Sequence, residues 1–369
     1  MRRRRPSLKP NPNNYNIGRS ISMHLPSPSP SPSPSPHQPQ TNAMPVPTIP
    51  SVPMTRSQIL HFFTRSLTAF HSSSHDAFRV LCTAPHHPLA PRLPPAPPGV
   101  DTLVVLDSSF NPPTRAHAQM AKSAMESAGP GARLLLLLAV NNADKGGAGP
   151  AAGVAPRLGM MEGFARDLAR GGGGGGGGGG DDAEIEIDVA VTTGALFHEK
   201  ARSIAGSGVY NDRRDGRGDV RQVYLCGFDT VIRIFDPRYY RDEPAGTACS
   251  CSGASEGEGE GEGVTAMQRA LRPFFARAKL RVMMRPDDEW GSAEEQRAWV
   301  DGLLGDGGLE RVGGDADWAG RIELVEGVEG VVSSSRVREV VRRGGGGDEL
   351  DGMVGEEVRR WIEEEGLYR

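Results

Sequence analysis

Two rhythms of apolar residues run along this chain. From Asp101 onward, short continuous apolar runs alternate with stretches whose apolar positions recur every three to four residues. The first kind reads as buried strands and the second as amphipathic helices. On this basis Thr102–Leu106 is predicted as a strand and Arg115–Ala128 as a helix. Arg133–Val140 follows as a strand and Pro156–Arg170 as a helix, with Pro156 suited to a first turn. Glu184–Val191 is a strand, Gly194–Ala205 a helix, Gln222–Cys226 a strand and Thr230–Phe235 a helix. A helix at Thr265–Ala278, the strand Leu280–Met284 and a helix near Ala293–Leu304 come next. The strand Arg321–Val325 and the helices Ser335–Arg342 and Val354–Glu364 complete the series. Strands alternating with helices imply an α/β fold, a Rossmann-like doubly wound parallel sheet covered on both faces. Upstream, Ser57–Leu81 carries Ile59, Leu60, Phe63, Leu67 and Phe70 at helical spacing. It reads as a helix capped by Ser57 and packed on the main domain, with a Pro-rich linker after it.

Composition changes the picture at the front of the chain and in two inserts. Gly (49 residues) and Pro (30) are concentrated in a few segments of the 369-residue chain. The first acidic residue is Asp76. Before it stand four consecutive arginines and a Ser-Pro repeat, so Met1 to about Val52 is read as disordered. The prolines would break the amphipathic helix of a mitochondrial presequence. Cytoplasm, nucleus or both is therefore the expected location, with Arg2–Arg5 a weak import signal. Residues 53–100 form a helix and linker, and 101–369 one domain. Gly-rich inserts at 171–182 and 241–263 read as solvated linkers. A net charge of −4 argues against a general nucleic-acid binder. The absence of an apolar run of 18 residues argues against a membrane-spanning helix. Four scattered cysteines give no disulfide framework, and Cys249-Ser-Cys251 has no further Cys or His pair beside it.

Two distant segments carry candidate chemistry, each where an apolar run ends and a helix begins. In such sheets ligands bind at these strand-to-helix loops. The first is "SSFNPPTRAH", Ser108–His117. Its serines offer hydroxyls and N–H groups, and Thr114 and His117 lie one helical turn apart. A helix N-terminus attracts phosphate, and His117 supplies a donor there; a capping arrangement with an incidental histidine is the competing reading. The second is "GVVSSSRVREVVRRG", Gly330–Gly344. Ser333, Ser334 and Ser335 can cap the helix and hold phosphate, and Arg338 is one turn in, within bidentate reach. A basic solvated helix face with a serine cap is the competing reading, which accounts well for Arg342 and Arg343 and less well for Arg338.

Together these segments resemble the nucleotidylyltransferase superfamily, and within it the nicotinamide mononucleotide adenylyltransferases. Ser108-Ser109-Phe110-Asn111-Pro112-Pro113-Thr114-Arg115-Ala116-His117 is similar to that family's Gly-Ser-Phe-Asn-Pro-x-Thr/His-x-x-His. Val332-Ser333-Ser334-Ser335-Arg336-Val337-Arg338 resembles its Ile-Ser-Ser-Thr-x-x-Arg. "YLCGFDT" (Tyr224–Thr230) and the closing "VGEEVRRWIEEEGLYR" also look like family segments, and "GFDTVIRIFDPRYY" is similar to the divergent fungal-type branch. The chain departs from the pattern in having Ser108 for a glycine that lets backbone approach the nucleotide. Thr114 stands for the first histidine of many members, and Ser335 for threonine.

The resemblance implies adenylyl transfer from ATP to nicotinamide mononucleotide, giving NAD and pyrophosphate, with Mg²⁺ carried by the phosphates. It implies that His117 and Thr114 bond ATP phosphates, and that Arg338 with Ser334 and Ser335 holds the leaving β- and γ-phosphates. Ser108, Ser109, Phe110, Ser333 and Gly227 would line the ATP site. Asp229 either accepts from the ribose hydroxyls or caps the next helix. On the mononucleotide side stand Asn111 and Lys145, the latter a phosphate ligand or a surface lysine, and Tyr239 or Tyr240, which stack on nicotinamide or simply pack. Arg157 and Met160 match the family's helix pattern and are read as structural. Another phosphate acceptor, or a nucleotide-binding regulator without transferase activity, are the alternatives.

Overall fold

A computed structural model describes residues 54–84, 99–141, 152–171, 185–210, 220–240, 263–286, 290–327 and 332–369. The Ser-Pro tail, the Pro-rich linker, nearly all of both inserts, Cys249, Cys251 and Lys145 lie outside the described residues.

Seven strands form one sheet in the order β1-β4-β3-β2-β5-β6-β7. These are β1 (Phe78–Ala84), β2 (Thr102–Asp107), β3 (Ala132–Ala139), β4 (Ile187–Thr192), β5 (Arg221–Gly227), β6 (Ala278–Met283) and β7 (Ile322–Val325). From β4 across to β7 all neighbours are parallel. The helices are α1 (Arg56–His71), α2 (Arg115–Ala128), α3 (Val154–Gly171), α4 (Phe197–Gly206), α5 (Phe228–Ile234) and α6 (Ala266–Arg277). After them come α7 (Ala293–Leu304), α8 (Gly308–Arg311), α9 (Ser334–Arg342), α10 (Asp348–Asp351) and α11 (Glu356–Glu364).

Alternation along the strands divides the core in two. Val104, Leu106, Leu134, Leu136 and Leu138 face the layer of α1, α2, α3, α9 and α11. Leu103, Val105, Leu135 and Leu137 face the layer of α4 to α8. With helices on both faces, the central strands have no solvent side, which is why they read as continuous apolar runs.

One element departs from expectation. The helix predicted over Ser57–Leu81 stops at His71, and Phe78–Ala84 turns into a strand antiparallel to β4. The sheet is therefore mixed rather than wholly parallel. The cap is Thr55, whose hydroxyl accepts from the Gln58 amide while the Gln58 side chain accepts from the Thr55 amide, so Ser57 is not the N-cap. Both α1 and β1 belong to the same compact unit, Val52–Arg369.

The strand order reverses between β2 and β5. In doubly wound sheets the ligand crevice lies at the carboxyl ends of the strands flanking such a switch point, here Asp107 and Gly227.

On the α3 side, Trp361 of α11 is buried against two glycines one turn apart. A Cβ on Gly159 would stand 2.5 Å from the Trp361 ring, and one on Gly163 2.9 Å from the Glu357 Cβ. Gly159→Ala is thus expected to lower stability by about 1–3 kcal/mol through overpacking, although alanine is the better helix former by about 1 kcal/mol. Gly302→Ala on exposed α7, where a Cβ meets nothing within 4 Å, should show that helix gain unopposed. Denaturant melts of both variants check this; a Gly159→Ala protein as stable as wild type would refute the packing account.

Candidate active site

The loop leaving β2 is organised around one imidazole. Thr114 is the N-cap of α2, and His117, the third helical residue, reaches back to it. The Thr114 amide donates to His117 Nδ1 at 3.0 Å, and the Thr114 hydroxyl lies 2.9 Å from the same nitrogen. This is the geometry of a capping box, with histidine where Glu or Gln usually stands. An amide can only donate, so Nδ1 accepts and the neutral ring carries its proton on Nε2. That nitrogen is 2.9 Å from the Ser108 hydroxyl. Phe110 turns the loop with φ +45°, a region that side chains rarely adopt and that recurs at functional sites. Its buried ring packs 5.5 Å from His117. Burial, and then the nearby Arg285 guanidinium, lower the His117 pKa from 6.5 to about 4. The ring is therefore a neutral donor at neutral pH, and the charged form is not its resting state. The cap and a donor role are compatible, because accepting at Nδ1 leaves the ring proton on Nε2, beside the Ser108 hydroxyl.

The serine-triplet segment meets this loop. Ser333 caps α9, accepting from the Arg336 amide at 3.2 Å. Ser334 donates to the Pro112 carbonyl at 2.8 Å, a contact across 222 residues. Arg338 donates to the Asn111 carbonyl at 2.6 Å and to the Ser335 hydroxyl at 3.0 Å. The two segments singled out in the sequence thus form one surface.

The remaining residues divide. Thr114 is 1 % exposed and engaged with His117, so it positions the ring rather than lining open space. Phe110 is core. The Asn111 side chain accepts from the Ala152 amide at 3.2 Å and the Tyr368 hydroxyl at 2.9 Å, which makes it scaffold. Gly227 is the N-cap of α5, so Asp229 is not; the Asp229 carboxylate pairs with Arg233 in the first turn of that helix. Tyr240 lies in the core with its hydroxyl on the Ile234 carbonyl at 2.6 Å, whereas Tyr239 is 49 % exposed. Ser109 is exposed, and its carbonyl accepts from Arg157 at 3.4 Å.

Lys200, Arg285 and Tyr368 escaped the sequence reading of the site, and Arg157 was read without its partner. Lys200 of α4 is buried against Asp107, the last residue of β2, at 2.5 Å. Arg285 follows β6, and its loop is pinned by the buried Gln296 amide, which exchanges hydrogen bonds of 2.8 and 2.7 Å with the Arg285 backbone. Arg157, read as structural, is 2 % exposed and donates to the Ser109 carbonyl of the motif loop. Tyr368 holds Asn111. An arginine directly after a predicted strand, as in "RVMMRP", was a legible signal; the others were not.

Because folding lowers the His117 pKa, the unfolded chain binds a proton there that the folded one resists. The stability this group confers is full above pH 6.5 and is lost as pH falls from about 6.5 to about 4. Its size is roughly 2 kcal/mol once partial exposure is discounted. A proton NMR titration should place His117 near pH 4. In Arg285→Ala it should rise yet remain below 6.5, because burial is the larger cause. Titration at the ordinary value in the wild type would contradict the site geometry.

No protein-family model matches the chain. It is 32% identical over 247 residues to a Schizosaccharomyces pombe protein named "Putative nicotinamide mononucleotide adenylyltransferase", covering 66% of this chain and 76% of that one. Solved structures of Plasmodium falciparum nicotinic acid mononucleotide adenylyltransferase, complexed with APC and with NaAD, align over 73% of this chain and 97% of theirs. Their identity is 10% and their TM-score 0.40, so the assignment rests on the yeast relative and not on them. With that relative matched over three quarters of its length, and the motifs resembling the family gathered on one surface, the chain belongs to the nicotinamide mononucleotide adenylyltransferase family.

Proposed function

We propose that this protein transfers the adenylyl group of ATP to nicotinamide mononucleotide, forming NAD and pyrophosphate. The observation that carries the reading is the junction of the two segments: His117 and Arg338 are anchored to the same loop, through Thr114 and Asn111. An oxygen of the mononucleotide phosphate attacks the α-phosphorus, and the bond from that phosphorus to the pyrophosphate oxygen breaks. The attacking oxygen is already anionic at neutral pH, so no general base is required. Alignment and charge stabilisation remain, and donors and cations supply both.

His117 offers its Nε2–H to an α-phosphate oxygen. Arg338, with Ser335 and the N–H groups at the start of α9, draws the departing β- and γ-phosphates. Gly227 and Asp229 line the ribose side of the crevice. The tie between Asp107 and Lys200 removes an unpaired carboxylate that would repel a triphosphate. Mg²⁺ enters on ATP and supplies charge neutralisation between phosphates; the cationic and neutral donors around the crevice suit phosphate oxygens with the metal among them. On the mononucleotide side this reading keeps Lys145 and Tyr239, and Ser109 stays with the ATP site.

A second reading has one specific observation behind it. Ser108 stands where the family pattern has glycine, and its hydroxyl already occupies His117 Nε2. A protein that binds nucleotide without turning it over would retain the rest of the site.

The full chain with ATP, Mg²⁺ and either nicotinamide or nicotinate mononucleotide decides between them. NAD, or its deamido form, is expected. His117→Ala removes the Nε2–H donor; kcat should fall about 10²-fold or more. Arg338→Ala should raise the KM for ATP and lower kcat. Unchanged turnover in both variants overturns the mechanism. ATP binding without product supports the regulator.

A further inference from the structure

Tyr368 stands outside every role assigned so far, yet its position is costly. Its φ is +68°, and a left-handed backbone costs a bulky side chain roughly 1–2 kcal/mol, so surrounding contacts must hold it. They are visible. α11 ends in a left-handed turn at Gly366 (φ +62°), and the Leu367 amide returns to the Ile362 carbonyl at 3.0 Å. This Schellman exit reverses the chain and brings Tyr368 back against the motif loop. There it is 4 % exposed, and its hydroxyl donates to Asn111 Oδ1 at 2.9 Å.

Asn111 is a hub. Its side chain receives Tyr368 from one direction and the Ala152 amide from another, and its carbonyl receives Arg338. The hydroxyl is the one donor of Tyr368 aimed at the motif loop, and burial raises its pKa well above the ordinary range, so it stays a donor. Arg338 and Arg157 both lie within electrostatic reach of it.

We propose that Tyr368 is a positioning residue for the nucleotide site: by fixing the Asn111 side chain, it sets the carbonyl against which Arg338 is held. Its effect passes through Asn111 to a phosphate-binding guanidinium without touching substrate. The use of that guanidinium rests on the reading given under Proposed function; the clamp on the loop does not.

Tyr368→Phe deletes the hydroxyl and keeps the ring that fills the core. Two measurements on the full chain test the proposal. ATP affinity, by calorimetry and as KM, should weaken about fivefold to tenfold, with kcat at saturation changed less than threefold. Amide hydrogen exchange should quicken in peptides covering Ser108–His117 and Ala152–Pro156, while β2 keeps its protection. Unchanged exchange in those peptides overturns the clamp. So does faster exchange that includes β2, which would mean general loosening. Unchanged ATP affinity alongside quickened loop exchange overturns the link to Arg338. If the wild-type chain binds no ATP, the functional reading fails by itself, and the exchange data still decide whether Tyr368 orders the loop.

Discussion

Two backbone carbonyls, those of Asn111 and Pro112, hold the site together. Each accepts from α9, one from the Arg338 guanidinium and one from the Ser334 hydroxyl. A hydrogen bond to a charged donor is stronger than a neutral one, and these join pieces of chain more than 220 residues apart. Without them, the imidazole after β2 and the guanidinium of α9 would belong to separate loops. With them, both groups are already placed on one loop, so little ordering cost would fall on a ligand that used both.

The fold makes this junction possible by bringing unrelated loops to one end of one sheet. β2 and β5 lie side by side although more than a hundred residues separate them in sequence, and the reversal of strand order leaves room above their ends. Behind the crevice the supports are rigid. The Lys200–Asp107 pair closes one side, and the Gln296 amide locks the loop that carries Arg285. Buried pairs of this sort contribute less to net stability than to specifying a single arrangement.

Most of this architecture was legible in the sequence, for a physical reason. Strands covered on both faces are mostly apolar, so Leu134–Leu138 reads as one, and Arg115–Ala128 has its boundaries set by Thr114 and by the glycine after it. β1 was missed because its alternation, Phe78, Val80, Cys82 and Ala84, follows a strongly helical stretch and is only seven residues long. The chemical residues His117 and Arg338 announced themselves through their position after strands and their resemblance to family motifs. The supporting residues did not. Asn111 and Tyr368 are 257 residues apart, and a single hydrogen bond over that span leaves no periodicity to read. Asp229 looked like a cap because its place at the start of α5 is decided by Gly227, whose backbone conformation no pattern reveals.

The way charge is divided around the crevice has its own consequence. The positive groups described around it include the guanidinium ions of Arg338, Arg285 and Arg157. The imidazole among them is held neutral until about pH 4. Acidification from neutrality by a unit or two therefore adds no charge at His117. Histidine elsewhere makes proteins responsive to such changes; here it is insulated from them, and a pH response in the attraction for a phosphate ligand would fall to the ligand's own phosphate groups.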